Sequence, residues 1–195
     1  MNQLGSEAMH VLASPRTATT VLKRVARSIV PSRADFCFIH LADGEHLRCV
    51  ATAHATRAGQ RVVAELGRVH RILRSDPEST VAQVVRSGRP QLRSEIAIDA
   101  HPSAAPRIID VHRQLGPRSA LVVPLLLGSR TVGALTLGFA NSHRRYGSQH
   151  LTGARRLANR ITDYLARVNR TVAGAKPLAR TAAASTRRLP LRARA

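Results

Sequence analysis

Between Ala120 and Phe139 the chain carries two nearly unbroken apolar runs, Ala120 to Leu127 and Val132 to Phe139, around Gly128-Ser129-Arg130-Thr131. Two β-rich runs about a short glycine-containing connection predict a hairpin at the centre of a sheet. Because the runs do not alternate apolar with charged residues, both faces of these strands should be covered by other elements. The pattern supplies the covers. Val21, Leu22, Val25 and Ile29 follow helical spacing from Thr17, with Ser14 before Pro15 as a cap and Pro31 as the stop. Asp35 to Leu41 and His46 to Ala53 read as strands joined through Asp43-Gly44. Helical spacing returns from Arg57 to Leu73, with Gly67 as a weak point, and again from Glu78 to Val85, closed by Gly88 and Pro90. Gln91 to Ile98 predicts a short edge strand, and Ala105 to Leu115 a helix stopped by Gly116-Pro117.

Asn141 to Tyr146 is a polar turn, and Ser148 opens the longest helix. Its apolar stripe runs through Leu151, Ala154, Leu157, Ala158, Ile161, Leu165 and Val168. Residues 1–15 read as a flexible lead-in and 171–195 as a disordered basic tail, leaving 16–170 as one domain. The sequence predicts an α+β domain with an antiparallel sheet.

Composition changes this picture little, but charge does. The 195 residues are 44% hydrophobic, enough for one real core. Thirty-one Lys and Arg face 11 Asp and Glu, a net +20, and all but Lys23 and Lys176 of the basic residues are arginine. The last 25 residues hold +6 and the preceding 170 hold +14, so the excess reads as spread along the chain. No apolar run approaches the ~18 residues of a membrane span, and the first residues lack a secretory pattern. A cytoplasmic location is therefore expected.

The order of elements, and the pieces Ala34 to Ala42, LRCVATAHA from Leu47, VVRSGRP from Val84, LGPRSALVVPLL from Leu115, GSRTVGALTL from Gly128 and RRYGSQHLTGARRLANR, resemble a GAF domain. The resemblance spans about residues 16 to 170. It implies a PAS-related antiparallel sheet of five or six strands, terminal helices on one face, and a pocket roofed by helices and loops on the other. It further implies a stand-alone bacterial sensory or regulatory module, non-enzymatic, that binds a small molecule. Such a module would form a homodimer through helices 17–30 and 148–168 and signal to a separate protein in trans.

His40, Thr52, His54, Ser119 and Thr136 are polar residues within apolar strands, and they need partners or a ligand. These five are the candidate ligand-binding residues, His54 foremost. The alternative is that they satisfy one another or backbone groups, and for Ser119 and Thr136 the face of the sheet decides between the two roles. The histidines form no HxH or HxxxH pair, so no metal or haem ligand set is offered, and the cofactor stays unknown. Cys37 and Cys49 lie in early strands, away from where a bilin-attaching cysteine belongs.

Two alternatives remain. The chain could be a thiol enzyme resembling the free methionine-(R)-sulfoxide reductases through Cys37 and Cys49, or a regulator whose arginine tail contacts nucleic acid without sequence preference. With no tryptophan, three Phe and two Tyr, a base-stacking platform for single strands is not expected.

Overall fold

A computed structural model describes residues 15–96 and 106–174, with the side chains of 15–17, 107 and 169–174 left aside. The expected lead-in and the basic tail from 175 onward lie outside the described residues. The elements in order are helix α1 (Pro15–Ile29), strands β1 (Phe36–Asp43) and β2 (His46–His54), helix α2 (Arg57–Val69), strand β3 (Ile72–Leu73), helix α3 (Thr80–Ser87), strand β4 (Gln91–Arg93), helix α4 (Pro106–Leu115), strands β5 (Ser119–Leu127) and β6 (Arg130–Phe139), a 3-10 turn (Ser148–His150) and helix α5 (Leu151–Gly174). The strands form one antiparallel sheet in the order β3-β2-β1-β6-β5-β4.

Side-chain alternation sorts the sheet into two faces. Cys37, Ile39 and Leu41 of β1, Leu121, Val123 and Leu125 of β5, and Leu135, Leu137 and Phe139 of β6 share one core. Above them lie Ala18, Leu22, Ala26 and Ile29 of α1 with Ala154, Ala158, Ile161 and Leu165 of α5. The small residues let α1 settle over β2 and α5 over β5, and the two helices touch each other little. On the opposite face, Phe36 and Phe38 pack with Val63 and Leu66 of α2 and Val111 and Leu115 of α4. Val122 and Ala134 pack with α3. A register shift between Ile39 and His40 lets Val50 and Ala51 both enter the α1 side of β2.

Three expectations change. The helix predicted to Leu73 ends at Val69, because Ile72 is buried among α3 residues and Ile72–Leu73 extend the sheet beside His46 and Leu47. The hairpin β5–β6 is not itself the centre of the sheet. β1 and β6 are, because β1 inserts beside β6. The last helix runs to Gly174, four residues into the segment expected to be tail. Gly67, the weak point of α2, has a packing reason. A side chain there would press on Cys49 Sγ and Thr52 Cγ2, each 3.0 Å from its Cβ position, so glycine lets α2 approach β2. The hairpin glycines Gly44 and Gly128 take positive φ, 60° and 62°.

Candidate functional site

Over the face of the sheet away from α1 and α5 lies a cavity of about 620 Å³. Its floor is Phe36, Phe38 and His40 of β1, Thr136 of β6, and Ala120 and Val122 of β5. Its walls come from the end of α2 and the start of β3 (Leu66, Gly67, His70, Arg71 and Ile72), from Asp76 and residues 78–81 entering α3, from Arg93, Glu95 and Ile96 at the end of β4, and from Ile108, Ile109, His112 and Leu115 of α4. The floor residues belong to rigid central strands and the walls to short helices and connections. This is the arrangement expected of a small-molecule site.

Most polar groups around the cavity are engaged. Asp76 Oδ1 accepts from the N–H groups of Glu78 (2.8 Å) and Ser79 (3.2 Å), and Ser79 Oγ accepts from Ala82 N–H (3.3 Å) as the cap of α3. His70 and His112 meet edge to face with ring centres 6.1 Å apart. Among the described residues, the buried side-chain atoms His40 Nδ1 and Thr136 Oγ1 have no hydrogen-bond partner, in residues only 6% and 9% exposed. They sit close together: Phe38 pairs with Thr136 across β1 and β6, so His40 is the diagonal neighbour, at Cβ roughly 7 Å away. His40 stacks on Phe38 with ring centres 6.0 Å apart. Burial, with His70 nearby, pushes the imidazole down to about 3, so it is neutral near pH 7.

The structure separates the five sequence candidates. His40 and Thr136 come together on the cavity floor. Ser119 faces α5: its Oγ donates to the Arg93 carbonyl (3.0 Å) and accepts from Tyr146 N–H (2.9 Å), tying β4 to the entry of α5. Thr52 lies beneath α2, where Gln60 Nε2 donates to its Oγ1 (3.4 Å). His54 fastens β2 to α2. Its Nδ1 accepts from Thr56 N–H (3.0 Å), its own N–H donates to Gln60 Oε1 (3.0 Å), and Gly59 leaves room for the ring. None of these three lines the cavity.

The walls could not be foreseen, because the periods that put 78–81 in a helix and 93–96 in an edge strand do not say that these elements close over β1 and β6. His70 and His112 did carry a signal: both are histidines on the apolar side of their helical patterns.

The cysteines do not form a thiol couple. Cys37 is in the core under α1, Cys49 packs with the α2 cluster on the other face, and both are free thiols. Burial raises both thiols, Cys49 to about 12, so neither is a thiolate near pH 7. Neither lines the cavity. Among the described residues no cluster of three or more His, Cys, Asp or Glu is arranged to hold a metal ion. No helix among them is long and apolar enough to cross a membrane.

Similar folds occur in solved structures. The second GAF domain of DevS from Mycobacterium smegmatis is 20% identical and superposes with a TM-score of 0.59 over 81% of this chain and 99% of that one. The GAF domain of a phosphoenolpyruvate-protein phosphotransferase from Coxiella burnetii is 18% identical, with a TM-score of 0.59 over 89% and 98%. A type II free methionine-R-sulfoxide reductase from Thermoplasma acidophilum is 9% identical, with a TM-score of 0.55 over 78% and 95%. No curated protein sequence matches the chain. The family model for the GAF domain matches residues 15–166, and the chain belongs to that family.

Proposed function

We propose that this GAF domain is a small-molecule sensor whose ligand lies on the floor of the 620 Å³ cavity and bonds His40 Nδ1 and Thr136 Oγ1. The observation that carries the reading is that two diagonal neighbours on an otherwise apolar floor each bury a polar atom that has no partner among the described residues. Each such group costs about 1–3 kcal/mol when left unsatisfied. A ligand that pairs them recovers that cost only when bound. Neutral His40 and the Thr136 hydroxyl call for an uncharged end with one donor and one acceptor, such as an amide or the edge of a heterocycle.

The signal would pass through β1, β5 and β6, whose other face carries the α1 and α5 core. A separate protein is the proposed receiver. A homodimer through residues 17–30 and 148–168 would oppose exposed cations on the outward sides of both helices, including Lys23, Arg24, Arg155 and Arg156. Such a dimer is expected to form at high ionic strength and to dissociate at low. Sedimentation at two salt concentrations checks this.

Substitution of the floor should raise stability while removing function. Thr136→Val keeps the shape and deletes the orphaned hydroxyl, so the ligand-free protein should gain about 1 kcal/mol in urea denaturation. A library of uncharged metabolites should raise the melting temperature of the wild type for at least one member, because a ligand held only by the folded state stabilises it. Thr136→Val should lose that response. A destabilised Thr136→Val that keeps the response would place the ligand elsewhere.

His40 adds a pH signature. Its folded pKa lies below its unfolded value of about 6.5, so its neutral form favours folding above that pH. That contribution is lost as pH falls from about 6.5 towards 3. In His40→Phe, stability between pH 7 and 4 should decline less steeply than in the wild type, as urea midpoints would report.

A further inference from the structure

The charge that reads as evenly spread along the sequence is sorted by face in the fold. Residues 15–33 and 141–174, the two segments that build the α1 and α5 layer, hold twelve Lys and Arg against Asp163 alone, a net +11. Residues 34–140, which supply the whole sheet and the cavity walls, hold thirteen against nine acids, a net +4. The buried stripes Ala18, Leu22, Ala26 and Ala154, Ala158, Ile161 turn the intervening cations outward. Lys23, Arg24 and Arg27 of α1 and Arg155, Arg156 and Arg160 of α5 are all exposed, and none makes an ion pair among the described residues.

We infer that the outward face of α1 and α5 binds the phosphate backbone of a nucleic-acid duplex without reading its sequence. Three features choose this partner. Five of the six cations are guanidinium groups, whose planar fork matches phosphate oxygens. At low salt the unscreened cations keep two copies of this face apart, and it carries no large exposed hydrophobic side chain, those among the described residues being Leu73, Leu92 and Leu126, all on strands. It also has no exposed aromatic ring on which the bases of a single strand could stack. Backbone binding needs neither an apolar centre nor stacking, because release of condensed counterions supplies the affinity. This face is on the far side of the sheet from the cavity, so the inference stands whether or not the cavity holds a ligand.

The test is fluorescence anisotropy of a labelled duplex of roughly 20 base pairs with the full chain over a range of salt concentrations. Three proteins are compared: the wild type, the triple variant Arg155→Gln, Arg156→Gln, Arg160→Gln, and a control triple Arg57→Gln, Arg61→Gln, Arg89→Gln. The control removes equal charge from exposed positions outside the α1 and α5 layer. Wild type should bind with a steep salt dependence. The helix triple should lose affinity about tenfold or more at low salt, with the log–log slope shallower by about 2 to 3, since each lost phosphate contact removes about 0.9. The control should change less than about twofold on the same basis.

Equal losses in the two triples would overturn the inference in favour of diffuse charge. No loss in the helix triple would overturn it in favour of the basic tail. Tighter binding of polyglutamate than of duplex would overturn it in favour of an acidic protein partner. Circular dichroism of each variant confirms that it remains folded.

Discussion

Asp35→Ala should destabilise the protein by about 3 kcal/mol, the cost expected when one partner of a buried charge network is removed. For a domain of this size that lowers the melting temperature by roughly 6–12 °C. Asp35 is 5% exposed and stands where three connections meet. Its Oδ2 accepts from the N–H groups of Ala140 (2.8 Å) and Ser142 (3.0 Å) as the chain leaves β6, and its Oδ1 accepts from Arg144 (3.1 Å). Arg144 also donates to the carbonyls of Pro31 (2.7 Å) and Ser32 (3.1 Å) and lies over the Phe139 ring, 4.4 Å from its centre. Removing the carboxylate leaves Ala140 N–H buried and unpaired and releases the entry of α5 from the exit of α1.

The same site makes stability fall in acid. Burial alone would raise the Asp35 pKa, but the hydrogen bonds from Ser142, Ala140 and Arg144 more than offset it and hold it below the ordinary carboxylate value. A depressed folded pKa contributes stability above the unfolded value of about 3.9, and that contribution disappears as pH falls through the folded one. Asp35→Ala should therefore flatten the acid limb of the stability curve below about pH 4. Asp43→Ala is the contrast. Its ion pair with Arg48, at 3.6 Å, is largely solvent-exposed, and its loss should cost less than about 1 kcal/mol.

Gly133→Ala should cost on the order of 3 kcal/mol by overpacking the middle of the sheet. A Cβ at this position would stand 2.1 Å from the His40 carbonyl oxygen and 3.0 Å from Leu41 Cδ2. The carbonyl is backbone in the ladder between β1 and β6, so no side-chain rotation relieves the clash, and the two central strands must separate. Because His40 is the residue displaced, ligand responses should fall together with stability. Gly153→Ala serves as the opposite control. Gly153 lies in α5 with nothing within 4 Å of its Cβ position, and alanine there should stabilise by roughly 0.5–1 kcal/mol. Urea midpoints of the pair should move in opposite directions.

These residues show what the sequence could and could not disclose. The elements and the two-faced sheet were legible because continuous apolar runs in β1, β5 and β6 require cover on both sides, and because helical spacing supplied the covers. Short elements were not legible. Ile72–Leu73 look like the end of a helix because the cover over Ile72 comes from α3, a segment further along the chain. The candidate site was half legible. Polar residues inside apolar strands do need partners, but for His54, Thr52 and Ser119 the partners are Thr56, Gln60, Arg93 and Tyr146, which no spacing rule brings together. Only strand parity and the pairing of β1 with β6 place His40 beside Thr136. Asp35 likewise looks like an isolated carboxylate at the start of a strand, since its partners lie more than a hundred residues away.

The central claim is that the floor formed by His40 and Thr136 holds a small molecule. Native mass spectrometry tests it most directly, applied to the wild type and to the double variant His40→Phe, Thr136→Val, each purified without denaturation and each exposed to the same small-molecule extract of cells. The predicted result is a bound mass on the wild type that is absent from the folded double variant. The same bound mass on both proteins, or on neither, would contradict the claim.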